Sequence, residues 1–166
     1  MRALTDSEIR GSFVNCSKGE ARRLGLPRRL PELPWPDLDF LGWRDPGAPD
    51  RGYLVAERDG DLVGVVLRVP PAVKRGLTKT TVCSFCLTSH AGQGVSLLTA
   101  RRVGAAGRQG NTVGAYVCAD LACPLYVRGK KTSDLVDRYE ESLTLDEQVA
   151  RTLANLDRFL DKVLAG

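Results

Sequence analysis

The spacing of the cysteines is the feature that most constrains the fold of this chain. Four of its five cysteines form two pairs, Cys83 and Cys86 as C-x2-C and Cys118 and Cys123 as C-x4-C, with 31 residues between the pairs. Zinc is bound by four thiolate or imidazole ligands at the corners of a tetrahedron, and a tight turn bearing C-x2-C supplies two adjacent corners. The pattern therefore predicts one structural zinc ion per chain, held by both pairs.

The segments around the second pair predict a treble clef. Two β-prone runs, "GVSLLTARR" and "NTVGAYVC", are joined by the glycine-rich "VGAAGRQG" and indicate a hairpin that ends at Cys118. The following "ADLACPLYVRGK" is typical of a helix start, with Pro124 early and Gly129 as a terminator. A zinc knuckle, a hairpin, and a last ligand in the first turn of a helix together make a treble clef.

The cysteine spacing also permits other interpretations. A redox C-x-x-C usually begins a helix, but "CSFC" leads into "LTSHAGQG", which is a poor helix sequence. Four buried free thiols are a second alternative. A catalytic zinc needs an open coordination position, which four thiolates do not leave. His90, the only histidine, is expected to be a loop residue and otherwise a substitute ligand, and Cys16 is expected to be a small buried residue.

The N-terminal part predicts one short helix, an irregular segment and a hairpin. Ser17 and Glu20 form a capping box that favours a helix near residues 18–24. Residues 26–50 hold most of the nine prolines, which predicts an extended strap without regular structure. Its apolar residues are expected to pack on the core: Trp35, Phe40, Leu41 and Trp43. Asp59-Gly60 between two β-prone runs predicts a tight hairpin.

The C-terminal part predicts one amphipathic helix of about five turns. Thr144 and Glu147 form a second capping box at its start. The predicted apolar face consists of Leu145, Val149, Leu153, Leu156, Leu160 and Val163. This face is expected to close the domain core, and a coiled-coil seam is the alternative.

The predicted fold class is therefore α+β, a treble-clef four-cysteine zinc finger joined to a small antiparallel β domain with a C-terminal amphipathic helix. Residues 1–71 supply the hairpin and strap, 72–131 the zinc finger and 132–166 the helix, and we expect them to form one compact unit. No segment has the length and apolarity of a signal peptide or a membrane span, so we expect a cytoplasmic protein without membrane contact.

Positive charge is concentrated on the cysteine-bearing segment. Residues 72–131 carry nine basic side chains and one acidic one, whereas residues 1–71 are net neutral and residues 132–166 have a net charge of −4. A basic surface raises association rates with an acidic protein or with RNA. A chain with a single histidine has few general bases at neutral pH, so we expect neither an enzyme nor a small-molecule substrate.

Three stretches, "LPWPDLDFLGWRDP", "CSFCLTSHAGQGVSLLTARR" and "GNTVGAYVCADLACPLYVRGKK", carry a resemblance to a known family. From about residue 12 to 165 the chain resembles the C-terminal treble-clef domain of the elongation-factor-G-binding family, the bacterial proteins of fusidic acid resistance type. The resemblance implies that Cys83, Cys86, Cys118 and Cys123 bind zinc. It also implies binding to translation elongation factor G, with release of that factor from the ribosome.

The resistance proteins carry a helical bundle ahead of the zinc domain, and this chain begins almost directly at the equivalent of that domain. We therefore expect binding to elongation factor G rather than drug resistance itself. The residues expected to contribute to the partner surface are Phe85, Tyr116, Arg128, Lys130 and Lys131. The alternatives are that the two aromatic residues form a small core around the zinc and that the charged side chains are only solvated. The alternative function is a treble-clef module that binds nucleic acid, ribosomal RNA above all, through phosphate charge.

Overall fold

The computed structural model describes residues 1–69, 80–133 and 141–166. The helices are α1 (Asp6–Gly11), α2 (Lys18–Arg23), α3 (Gly104–Arg108), α4 (Cys123–Val127) and α5 (Leu145–Leu164), with two 3-10 helices at Leu30–Glu32 and Trp35–Asp37. The strands are β1 (Phe40–Arg44), β2 (Arg51–Arg58), β3 (Asp61–Arg68), β4 (Thr80–Val82), β5 (Ser89–Ala91), β6 (Val95–Arg101) and β7 (Thr112–Cys118). This mixture of helices and antiparallel strands confirms the α+β class.

Five of the strands form one antiparallel sheet in the order β1-β2-β3-β6-β7, and β4 pairs with β5 in a separate ribbon. The predicted Asp59-Gly60 turn joins β2 to β3, with positive φ values of 53° and 86°. Such values at both central residues define the turn that matches the twist of a hairpin. The β6–β7 hairpin is also as predicted, and β3 joins the two hairpins by pairing with β6 at Leu67–Ala100. Residues of the segments 1–71 and 72–131 thus lie side by side in one sheet.

The proline-rich segment is more regular than predicted. Residues Phe40–Arg44 form the edge strand β1, which pairs with β2 along its whole length. The segment holds no proline between Pro36 and Pro46, so every residue of β1 keeps its backbone N–H for the ladder. The expected packing is confirmed, because Trp35, Leu41 and Trp43 are buried in a cluster with Tyr53.

Helix α5 begins at the predicted capping box, where the Thr144 side chain accepts from the Glu147 amide and the Glu147 carboxylate accepts from the Thr144 amide. The buried face differs from the predicted one. Leu145 is 47% exposed, whereas the four residues Thr152, Leu156, Phe159 and Leu160 are buried together with Val163. The helix covers the core from Thr152 to Val163 and not over its first two turns, so the burial follows the residues that meet the core rather than the whole apolar stripe.

The core has two parts. The N-terminal helices and the tryptophans bury Ile9, Tyr53 and Val55 in one cluster. The second, larger cluster brings Leu54, Leu98 and the inner face of α5 together with the four paired cysteines. The cysteines are therefore part of the main core rather than of a separate appendage. None of the helices in the described ranges has the length and apolarity needed to cross a membrane.

Candidate metal centre

The first cysteine pair lies on a tight turn between β4 and β5. The Leu87 amide donates to the Cys83 carbonyl at 3.0 Å, and the Cys83 amide donates to the Thr88 carbonyl at 3.0 Å. The Phe85 amide points at the Cys83 sulfur, 3.4 Å away. Leu87 takes a positive φ of 59°, which reverses the chain. The turn therefore presents both sulfurs to the same side, as a zinc knuckle requires.

The second pair lies on the loop between β7 and α4. Cys118 is the last residue of β7, and Cys123 is the first residue of α4, as predicted. Between them, Leu121 takes a positive φ of 60° and donates its amide to the Cys118 carbonyl at 2.9 Å. Strand β1 packs directly on this loop, since a Cβ at Gly42 would lie 2.6 Å from the Leu121 Cβ and carbonyl oxygen. The loop that carries the ligands is thus held by the sheet.

The four sulfurs converge on one point. All of their ligand atoms lie within 4.8 Å of one another, and all four residues are buried. The Cys83–Cys123 and Cys86–Cys118 sulfur distances are 3.7 and 3.6 Å. A tetrahedral zinc with Zn–S bonds of about 2.3 Å separates its sulfurs by about 3.8 Å. A disulfide instead needs about 2.05 Å. The donor set fits one structural zinc ion, and within the described residues it is the one such group of three or more ligands.

The electrostatics of the cluster require a cation for full deprotonation. Hydrogen bonds from the other three thiols hold the pKa of Cys83 below its ordinary value. The pKa of Cys123 is raised, because its thiol hydrogen-bonds with its neighbours and is buried beside the Cys83 charge. Without metal, one thiolate is therefore favoured and the next is disfavoured. A divalent cation offsets the repulsion among four thiolates, which is the chemistry that a structural zinc supplies here.

His90 was expected from the sequence to lie in a loop, but it lies in a strand. It is the middle residue of β5, is 4% exposed, and places its Nε2 3.4 Å from the Cys118 sulfur. Its ring stacks edge-on against Tyr126 of α4 at a centroid distance of 4.7 Å. The group of converging ligand atoms consists of the four cysteines alone. His90 therefore lies beside the sulfur cluster and supports a ligand.

A known family model describes this arrangement. The model of the FBP C-terminal treble-clef zinc-finger matches residues 8–163, nearly the whole chain. The chain belongs to this family. Searches of curated proteins and of solved structures gave no match. The four buried cysteines and the family together establish a treble-clef zinc-finger domain with one structural zinc ion.

The residues expected on the partner surface of this treble-clef domain lie in different environments. Phe85 is buried, contrary to the expectation that it lies on the partner surface. It is 2% exposed, and its ring packs on those of Phe40 and Phe159 at centroid distances of 6.4 and 5.6 Å. The ring points inward because α5 covers the knuckle. Tyr116 of β7 is 42% exposed and remains on the surface.

The expected basic residues are largely paired within the chain. Arg128 forms a two-pronged ion pair with Asp39, and both side chains are less than one-fifth exposed. Lys130 contacts Asp37 at 2.6 Å and Lys131 contacts Asp120 at 2.5 Å. These pairs tie α4 to the strap and to the zinc loop. Lys74, Arg75 and Lys79 lie outside the described residues.

Two contacts of the treble clef had no signal in the sequence. The Asn155 side chain of α5 donates to the Phe85 carbonyl at 2.8 Å. The Ser84 amide donates to the Tyr116 carbonyl of β7 at 2.6 Å. Together they join the knuckle to the helix and to the sheet. The residues are 70 and 32 positions apart, and no local pattern predicts such a pairing.

Proposed function

We propose that this protein binds translation elongation factor G in the cytoplasm as a non-enzymatic, zinc-stabilised module, and that binding promotes release of the factor from the ribosome. The family to which the chain belongs supports a protein-binding role. The structural observation behind the proposal is a set of exposed apolar side chains at the zinc knuckle. Val82, Leu87 and Tyr116 are 48%, 40% and 42% exposed. Apolar and aromatic side chains of this kind form the centres of protein interfaces.

These side chains are held in a fixed arrangement. Val82 and Leu87 flank the Cys83–Cys86 turn, and the Tyr116 backbone is bonded to the same turn through Ser84. A rigid surface loses little conformational entropy on binding, so more of its contact energy appears as affinity. Zinc therefore acts on the partner indirectly, by holding the knuckle against β7 and α5.

A groove with basic residues on one side continues this surface. It has a volume of about 330 Å³ and lies between the knuckle, β7 and α5. Arg158 and Lys162 of α5 line it opposite Tyr116. Two cations beside an apolar centre suit a partner surface with acidic residues at its rim. We propose that elongation factor G presents such a surface to the knuckle.

The test is isothermal titration of the zinc-loaded protein with elongation factor G from the same organism, at a low and a moderate salt concentration. We expect saturable one-to-one binding that persists at the higher salt, because an apolar centre is not screened. Replacing Leu87 by Asn suits the positive φ at this position and removes an exposed apolar side chain. It should weaken binding about tenfold or more, as expected for an interface anchor.

The matched control is Leu145→Asn, which removes a similarly exposed leucine at the start of α5, and it should bind as the parent protein does. Absence of binding at both salt concentrations would refute the proposal. Binding to ribosomal RNA alone, with an affinity that falls steeply with salt, would favour the nucleic-acid alternative.

A further inference from the structure

A second cavity, lined by none of the zinc ligands, lies at the other end of the central strands. Its volume is about 410 Å³, within the range of small-ligand sites. The N-terminal segment around Cys16, the paired ends of β2 and β3, and the connection from β6 to α3 form its walls. Five arginines line it: Arg51, Arg68, Arg101, Arg102 and Arg108.

The cavity has one carboxylate, and that group is already engaged. Glu20 accepts hydrogen bonds from the Ser17 amide and hydroxyl, both at 2.9 Å. Within residues 1–69, 80–133 and 141–166, no carboxylate lies within 4.0 Å of the guanidinium groups of Arg51, Arg101 or Arg108. Arg68 has one long contact to Asp50 at 3.8 Å, between two exposed side chains. The lining therefore carries a large excess of positive charge.

The fold places these cations together at a cost. Arg51 lies directly opposite Arg68 in the β2–β3 register, and like charges in this position destabilise a sheet. Asn15 links β3 to β6 beside the cavity, since its side-chain amide nitrogen donates to the Val66 and Arg101 carbonyls at 3.0 and 3.2 Å. Arg102 is anchored by the Ala165 carbonyl at 2.8 Å. An anion between the guanidinium groups would relieve their repulsion.

We propose that this arginine cleft binds a small phosphate ester. The planar guanidinium fork donates two parallel hydrogen bonds to a phosphate, and several forks around one cavity suit a multiply charged group. The size of the cavity favours a small molecule over an extended chain. Nucleic-acid grooves also offer aromatic faces for stacking, but the one aromatic residue in this lining, Tyr53, is 1% exposed. The site is independent of the proposed binding of elongation factor G.

The test is calorimetric titration of the zinc-loaded full chain with inorganic phosphate and with ADP at constant ionic strength. The cleft variant replaces Arg51, Arg68 and Arg101 by Gln. The control variant replaces Arg2, Arg28 and Arg29 by Gln, which makes the same change in net charge at positions that line neither this cavity nor the groove at the knuckle. A single-stranded oligouridylate is titrated in parallel.

We expect saturable one-to-one binding of ADP, or of both ligands, to the parent protein. The cleft variant should raise the Kd more than about tenfold, because three charge-assisted contacts are lost. The control variant should stay within about twofold. Binding of phosphate and ADP with equal affinity identifies the phosphate group itself as the ligand, and tighter binding of ADP identifies an ester.

Three results would overturn the proposal: no saturation by either ligand, an equal loss in both variants, or binding of the oligouridylate alone. A second measurement does not depend on the folding of the cleft variant. Cys16 lines the cavity, and its alkylation in the parent protein is followed by peptide mapping. ADP should slow alkylation of Cys16, and an unchanged rate at saturating ADP would contradict binding in this cleft.

Discussion

Replacing Cys118 by Ser tests how much of the fold depends on the metal. Cys118 is 0% exposed, and its sulfur lies 3.6 Å from that of Cys86. A serine hydroxyl is a poor zinc ligand, because zinc in such sites selects soft thiolates. We expect the zinc content to fall from one equivalent per chain to a small fraction of one.

The loss of stability should be large compared with the net stability of the domain. Structural zinc contributes about 10–16 kcal/mol in zinc-finger peptides, whereas a whole domain is stable by about 5–15 kcal/mol. The buried serine hydroxyl adds a desolvation cost of about 1–3 kcal/mol. Because the cysteines lie in the larger core cluster, we expect a loss of at least about 3 kcal/mol and loss of structure across residues 80–131. At a urea slope of about 1–3 kcal/mol per molar, the midpoint falls by at least about 1 M.

The assay combines metal analysis with urea unfolding, and Cys16→Ser is the matched control. Cys16 is half-buried, lies outside the sulfur cluster, and should change the unfolding free energy by less than about 1 kcal/mol with full zinc content. A Cys118→Ser protein with one zinc per chain and a midpoint equal to that of the control would refute the assignment of Cys118 as a ligand.

Two further predictions concern the packing around the site and the pH dependence. Gly42→Ala should destabilise the protein by about 1–3 kcal/mol in urea unfolding, because the new methyl group overlaps Leu121. The control is Gly11→Ala, whose methyl group meets no atom within 4 Å and should not destabilise the protein in this way. Asp45 is partly buried, which alone would raise its pKa, but hydrogen bonds from Tyr53 and three backbone amides lower it. Its contribution to stability is therefore present above the ordinary aspartate pKa of about 3.9 and is lost as the pH falls through the lower folded value. Asp45→Asn should reduce the pH dependence of the unfolding free energy in this acidic range. An unchanged pH profile would contradict a lowered pKa at Asp45.

The features predicted correctly from the sequence are those that depend on neighbouring residues. The capping boxes at Ser17 and Thr144, the Asp59-Gly60 turn and the start of α4 at Cys123 all depend on residues a few positions apart. The cysteine pairs belong to the same class, because a knuckle is a local turn. Such signals are set by backbone geometry and short hydrogen bonds, which a pattern of residue types encodes directly.

The features missed depend on which elements meet. The residues around the knuckle give no sign that α5 covers Phe85. The expectation that Phe85 lies on the partner surface was therefore wrong. The pairing of β3 with β6, which are separated by residues 69–94, has no local signal either. Likewise, the sequence alone indicates that an arginine in a strand is a solvated charge. Only the strand register, which sets Arg51 opposite Arg68 with β6 beside them, reveals the arginine cleft.

The most direct test of the proposed function is hydrogen–deuterium exchange of the zinc-loaded protein with and without elongation factor G. We expect slower exchange in the knuckle and in β7, at residues 82–87 and 112–118, which carry the exposed apolar side chains. We expect no change in residues 14–17 and 101–104, which line the arginine cleft. Protection of the cleft alone, or no protection anywhere at saturating elongation factor G, would contradict a zinc-supported binding surface at the knuckle.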